Sequence, residues 1–338
     1  MITKLRSDGK ILLKKSSMTN RLHSKSAFGK LDENGNLILH PIEAAYLLEN
    51  KKIKLEDIDF QSFFENCIKI YSRFEIKYLV FRDLRRRGYL IKILENNLFD
   101  FKITGKRIKN RYLSIASERE KFDIKKILKF LDKTKAFLVA IVDEEGDITY
   151  YNFSEKDLKG NIEGNTYSRT NGIILGDRVA VFEKNAAAKL LEKEFFGKTF
   201  SEGIQLSFIE AAYLLEKKTI DVIDPKRKKK IRVDELINIA KNIQPDIEQR
   251  LKVYRDLKKK NLIVKTGFKF GTHFRVYEND PDLHHAEHLV EVVDKKFANS
   301  WSFLSKSVRL AHSVKKNMVF AIVNDKHLRY ISVSWLRM

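Results

Sequence analysis

"IEAAYLLE" at residues 42–49 returns letter for letter at 209–216, and this identity decides how the rest of the chain is read. Two further pairs keep the same order. "VFRDLRRRGYLIK" at 80–92 answers "VYRDLKKKNLIVK" at 253–265, and "LVAIVDEEGDITYYN" at 138–152 answers "VFAIVNDKHLRYISV" at 319–333. The offsets grow slowly, from 167 through 173 to 181, as expected for one duplicated unit that has gathered small insertions. Two copies of about 160 residues, an ordinary domain size, account for nearly the whole chain. They are expected at 1–159 and 173–338, with "GNIEGNTYSRTNG" at 160–172, rich in Gly, Asn, Ser and Thr, as the linker.

Within a copy the periodicity changes from helical to alternating. Ile209, Ala212, Tyr213 and Leu215 predict a short buried helix. Leu251, Tyr254 and Leu257 share one helical face before a turn at Asn261 and a strand over "LIVKTG". Strands are predicted over "FKFGTHFRVYE", "HLVEVVD", "MVFAIV" and "RYISVSW", and a helix over "SFLSKSVRLAHSVKK". The fold class is therefore α+β: two tandem copies of a mixed α/β unit. Each has a small N-terminal lobe (1–72, 173–245) and a C-terminal mixed-sheet lobe (73–159, 246–338).

Composition narrows the partner. Lys and Arg outnumber Asp and Glu by 66 to 45, and a net charge of +21 favours polyanions through counterion release. Nucleic acid leads, ahead of acidic membrane surfaces. The single cysteine, Cys67, allows no internal disulfide and fits a reducing compartment. No stretch approaches the roughly 18 apolar residues of a membrane helix, and "MITKLRSDGKILLKK" lacks the apolar run of a secretory signal. A soluble cytoplasmic protein is expected.

Chemistry concentrates in "HFRVYENDPDLHHAEH", residues 273–288, which holds four of the eight histidines, whereas residues 41–272 hold none. His284 and His288 stand at i and i+4, the spacing of a helical zinc site. Pro281 and the alternation of "HLVEVV" argue for a strand instead, on which such residues lie about 13 Å apart, too far for one ion. Metal-free phosphoryl transfer on RNA suits the stretch better. RNA supplies its own nucleophile, the 2′-OH, so an enzyme adds a base, an acid for the 5′-oxygen and a cation for the crowded phosphorane. Tyr277 and one of His284 or His285 flank a turn, and "HSVKK" at 312–316 offers a lysine. The plainer reading makes Tyr277 a strand-end aromatic and the histidines a wet turn.

"VKTGFKFGTHFRVYE" (264–278), "HAEHLVEV" (285–292) and "VRLAHSVKKNMVFAIV" (308–323) resemble, in that order, the archaeal tRNA-splicing endonucleases. The two-copy arrangement is similar to their fused, homodimeric subclass, in which a degenerate repeat precedes a catalytic one. The resemblance implies a nuclease-like sheet lobe and a metal-independent endonuclease without cofactor. Tyr277 is then expected as general base, His285 as general acid and Lys316 as the cation on the phosphorane. It also implies two arginines that grip a bulged nucleotide: Arg309, with Arg337 or Arg329 as the second. The implied substrate is precursor tRNA with a bulge-helix-bulge motif.

"DEEGD" at 143–147 resembles the family's acidic docking loop, which implies that Asp143, Glu144, Glu145 and Asp147 meet a basic pocket of an opposing unit in a homodimer. A solvated β-hairpin turn is the plainer alternative. The catalytic copy reads "NDKHLR" instead. The basic run "PKRKKKIR", 225–232, is equally readable as an RNA contact or a charged insertion. The rival to an endonuclease is a non-catalytic RNA-binding subunit.

Overall fold

The structure is a computed structural model that describes residues 3–5, 8–55, 58–95, 98–106, 108–162, 169–324 and 327–338. Two compact units divide the chain. One comprises Met1–Ser154, Ala298–Ser305 and Ser334–Met338; the other comprises Glu155–Phe297 and Lys306–Val333. Of the expected linker 160–172, residues 163–168 lie outside the described residues, and a strand, Thr170–Leu175, already begins within it.

The first unit opens with a four-stranded antiparallel sheet in the order Thr3–Leu5, Ile11–Leu13, Leu37–Leu39, Lys30–Leu31. Helices Pro41–Glu49, Phe60–Ile70 and Phe74–Arg86 follow. The second unit opens with six strands, Lys198–Phe200, Gly203–Ser207, Arg178–Val181, Thr170–Leu175, Ile220–Asp224 and Lys229–Ile231 in spatial order. Helices Phe208–Glu216, Val233–Lys241 and Ile247–Lys259 complete its small lobe and lead into its second sheet.

The later sheets repeat one pattern. In the first unit Leu90–Ile93, Phe101–Thr104 and Arg111–Ser117 pair antiparallel. Arg111–Ser117 then runs parallel to Ala136–Val142 after a crossover containing the helix Ile124–Leu131. In the second unit Ile263–Thr266, Phe274–Tyr277 and His288–Asp294 pair antiparallel. His288–Asp294 runs parallel to Asn317–Val323, with the helix Trp301–Ser313 between them in sequence. Leu328–Leu336 then pairs antiparallel with Asn317–Val323. Parallel neighbours need such a crossover, whereas antiparallel ones need only a turn. Among the described residues no helix is long and apolar enough to cross a membrane.

The identical octapeptide has a structural reason. Glu43 and Glu210 are both buried, and each is the third residue of its helix in a capping box. Glu43 accepts the N–H of His40 at 2.9 Å and of Gly29 at 3.0 Å. Glu210 accepts the N–H of Ser207 at 2.9 Å and of Gly197 at 2.9 Å. Gly29 and Gly197 have φ of +63° and +66°, and a Cβ there would meet a carbonyl oxygen at 2.6 and 2.5 Å. One carboxylate thus ties a helix start to a loop that only glycine can make. Remove it and two backbone donors lose their acceptor.

One strand is shorter than predicted. Only Phe274–Tyr277 of "FKFGTHFRVYE" is extended, and Phe268–Phe270 is a 3₁₀ turn. Gly267 and Gly271 bracket this turn, Gly271 at φ +64°. The N–H groups of Phe270 and Gly271 bond the carbonyls of Gly267 and Phe268. Alternating apolar residues therefore sit on a hairpin loop here, because local glycines override the period of two. The basic run 225–232 lies on a hairpin arm, and several of its charges meet nearby carboxylates. Lys230 bonds Asp221 at 2.9 Å, Lys229 bonds Glu235 at 3.0 Å, and Arg232 bonds Asp234 at 2.8 Å.

The two caps differ in one testable respect. His40 caps its helix by accepting the Ile42 N–H on Nδ1 at 3.2 Å, whereas the second copy uses Ser207. Burial pushes the His40 imidazole down to about 4, while an unfolded histidine titrates near 6.5. Between those values the unfolded chain binds more protons. The stability from this group is therefore complete above about pH 6.5 and is lost as pH falls towards about 4. His40→Ser, which keeps a cap worth about 1 kcal/mol, should show a smaller drop in urea midpoint between pH 7 and pH 4.5 than the parent protein.

Candidate active site

The four clustered histidines separate into two kinds. His288 is 1 % exposed, with Nε2 2.7 Å from Glu278 Oε1; burial holds it below the ordinary histidine value, against the opposing pull of Glu278. His273 accepts the Val292 N–H on Nδ1 at 3.0 Å, and its Nε2 lies 3.4 Å from Asp246. Both are structural ties. His284 and His285 are exposed on the turn that joins Phe274–Tyr277 to His288–Asp294. The turn is closed by the N–H groups of Leu283 and His284 on the Asp280 carbonyl, at 3.2 and 2.8 Å.

Strand register brings the separated segments together. Val276 pairs with His288, and His288 pairs with Asn317. One position along, Tyr277, Glu287 and Lys316 fall on one level across three neighbouring chain segments. Ala286 is the hinge of this arrangement. It packs with Tyr277 and Ile263, and its carbonyl accepts the Lys316 ammonium at 3.0 Å. His285 is its immediate neighbour. The structure therefore brings Tyr277 and Lys316 to Ala286, and His285 precedes it on the exposed turn.

Lys316 owes its place to the end of the helix Trp301–Ser313. Lys315 takes φ of +55°, and the Lys316 N–H closes on the Ala311 carbonyl at 2.8 Å, an αL ending that turns the chain into the next strand. Burial and the nearby Lys269 hold the Lys316 ammonium below the usual lysine value, while Glu287 opposes them. Glu287 is itself fixed by accepting the Glu278 N–H at 2.8 Å.

Further residues belong to this neighbourhood that the sequence reading did not single out. The Arg275 guanidinium lies 5.7 Å from the Tyr277 ring centre, and among the described residues its buried Nε has no hydrogen-bond partner. The Phe270 ring lies 5.7 Å from Lys316 Nζ. Alternation alone puts Arg275 on the Tyr277 face; nothing in the sequence places Phe270 or Glu287 there. Lys265, opposite Arg275 in the sheet, turns away to bond the carbonyls of Phe195 and Gly197 at 2.5 and 2.6 Å. In the first unit the corresponding region is a cavity of about 670 Å³, bounded by Lys10, His23, Lys30, His40, Lys92 and Thr104.

The expected RNA-binding arginines stand in different states. Arg309 is exposed on Trp301–Ser313. Arg329 is held by Glu155, with contacts at 2.5 and 3.0 Å. Arg337 is exposed, with its guanidinium 5.0 Å from the Trp335 ring centre. The acidic stretch 143–147 is a hairpin turn in which Asp143 Oδ1 accepts the N–H of Glu145 at 3.1 Å and of Asp147 at 2.8 Å. Asp143, Glu144, Glu145 and Asp147 are all exposed, and Glu144 lies 3.3 Å from Arg119. Of "NDKHLR", residues 325 and 326 lie outside the described residues.

Two family models match the chain. The family model of the tRNA intron endonuclease catalytic C-terminal domain matches residues 247–330. The model of the tRNA intron endonuclease N-terminal domain matches twice, at 2–64 and 170–237. A tRNA-splicing endonuclease of Methanococcoides burtonii is 33% identical over 349 residues, covering 97% of this chain and 98% of that protein. One from Methanosarcina barkeri is 33% identical over 357 residues, covering 100% of both. One from Thermococcus kodakarensis is 39% identical over 163 residues, 48% of this chain and 95% of that protein, so it has the length of one copy. Matched end to end and carrying the catalytic domain in its second half, the chain belongs to the tRNA-splicing endonuclease family.

Proposed function

We propose that the protein excises introns from precursor tRNA by cutting bulge-helix-bulge structures, with Tyr277, His285 and Lys316 as its catalytic residues. The observation that supports this reading is the meeting of Tyr277 and Lys316 at Ala286, whose side chain packs on the tyrosine and whose carbonyl accepts from the lysine, with His285 next to it in the chain. Tyr277, acting as its phenolate, takes the proton of the 2′-OH, and the 2′-oxygen attacks the adjacent phosphorus as its bond to the 5′-oxygen breaks. Lys316 spends one of its three N–H donors on Ala286, which leaves two for the non-bridging oxygens of the phosphorane. His285, protonated, gives its proton to the departing 5′-oxygen. The products are a 2′,3′-cyclic phosphate and a 5′-hydroxyl. No metal ion or cofactor takes part in this scheme.

A bulge suits such an enzyme, because an A-form duplex hides its base edges and an unpaired nucleotide presents them. Arg309 serves as one arginine of the base grip. Arg337 is the better second candidate, since Arg329 is already committed to Glu155. The chain works as a homodimer in which residues 1–159 are the non-catalytic repeat and 173–338 the catalytic one. The exposed carboxylates of Asp143, Glu144, Glu145 and Asp147 dock into the opposing subunit.

Purified protein in excess EDTA should cut a bulged RNA duplex and leave the two ends named above; loss of cutting, restored by zinc, would contradict the scheme. Lys316→Ala should lower kcat on the order of 10²–10³-fold, read by single-turnover cleavage. Light scattering should give the mass of a dimer. Replacing Asp143, Glu144, Glu145 and Asp147 together by their amides should reduce that mass to a monomer's and abolish cutting.

A further inference from the structure

Phe268 is 88 % exposed, an unusual state for a phenylalanine. It stands on the loop that joins Ile263–Thr266 to Phe274–Tyr277. This loop is not slack. Phe270, Gly271 and Thr272 return backbone bonds to Gly267 and Phe268, and the Gly267 N–H bonds the His273 carbonyl at 3.1 Å. A Cβ on Gly267 would meet the Thr272 carbonyl oxygen at 2.7 Å. An aromatic ring is therefore held out into solvent by a backbone folded tightly around glycines.

The loop adjoins the candidate active site. Two residues from Phe268, the Phe270 ring lies 5.7 Å from Lys316 Nζ and 5.0 Å from Lys269 Nζ. Charge identifies the occupant. From residue 263 to 277, the two strands and the loop between them, the cations are Lys265, Lys269 and Arg275 and there is no Asp or Glu, a balance that favours a polyanion over another protein's apolar patch.

The duplication supplies a control within the same molecule. The corresponding loop of the first copy has the same seven positions, "LENNLFD" at 94–100. The offset of 173 that aligns "VFRDLRRRGYLIK" with "VYRDLKKKNLIVK" sets Glu95 opposite Phe268. That loop has two acids and no cation. Of these two loops, the one with the exposed ring and its adjacent lysine is the one beside Tyr277 and Lys316.

We propose that Phe268 is a platform on which an unpaired base of the RNA stacks, with Lys269 on the adjoining phosphate. Stacking on a rigid ring tolerates any base and suits nucleotides splayed from a helix. A preformed loop also spares the ordering cost that a mobile one would incur on binding. The inference deepens the proposed function and rests on it for the nature of the RNA.

The test compares wild type with Phe268→Ala, Phe268→Leu and Phe268→Trp, reading both the affinity for a bulged RNA duplex by anisotropy and its cleavage. Phe268→Ala should raise Kd and KM roughly tenfold. Phe268→Trp should restore both and Phe268→Leu should not, because a planar π face is required. The slope of log affinity against log salt should be unchanged in Phe268→Ala and smaller by about one in Lys269→Gln. Equal affinity of Phe268→Ala and wild type, or full recovery by leucine, overturns the stacking role while cleavage stands. A fall in molar mass of Phe268→Ala by light scattering overturns it too, by assigning the ring to a protein contact. Should wild type bind the RNA through an aromatic at 268 yet fail to cut it, the proposed function falls and the stacking role survives.

Discussion

The site depends on the register of a single strand. His288–Asp294 pairs antiparallel with Phe274–Tyr277 on one side and parallel with Asn317–Val323 on the other. Both pairings must be right at once for Tyr277 and Lys316 to flank Glu287. A slip of one residue on either side would turn a side chain to the opposite face of the sheet. Burial prevents the slip. Leu289, Val290, Val292 and Val293 are all buried, so this strand has apolar partners on both faces and His288 lies within it bonded to Glu278. A buried histidine without its carboxylate would be a costly orphan. That bond helps keep the strand where the site needs it.

The two copies show what duplication preserved and what it released. The glutamate that caps a helix and holds a glycine loop is present in both, since losing it would leave two backbone donors without their acceptor in either unit. The like-charged pair across the edge strands also persists, Lys92 opposite Lys102 and Lys265 opposite Arg275. Its surroundings have diverged. Lys265 is drawn onto two carbonyls beneath the sheet, whereas Lys92 borders an open cavity. Thr104 occupies the position aligned with Tyr277. The first copy therefore keeps the strand framework, with Thr104 where the second has Tyr277, and carries an exposed acidic hairpin.

The resemblance that named the family was legible because its motifs are contiguous: "HFRVY", "HAEHLV" and "HSVKK" each lie within one element or at its end. Helices and strands of the second copy were readable for the same reason, since burial on one face imposes a period that the sequence displays. The run from Phe268 to Phe270 was misread as strand because glycines at 267 and 271 permit a turn that the alternation of phenylalanines conceals. Histidine density was similarly ambiguous. Four imidazoles look alike in a sequence, and only burial separates His273 and His288, which hold strands, from His284 and His285, which face solvent.

The sequence by itself determined the duplication, the succession of helices and strands, and the residue types available for chemistry, because these are properties of local spacing and composition. Tertiary structure alone decided that Ala286 touches Tyr277 and receives Lys316, that Glu287 lies between them, and that Phe270 adjoins Lys316. Those contacts arise from pairing between segments up to about 40 residues apart, and pairing registers are set by the packing of whole sheets rather than by any short run of residues.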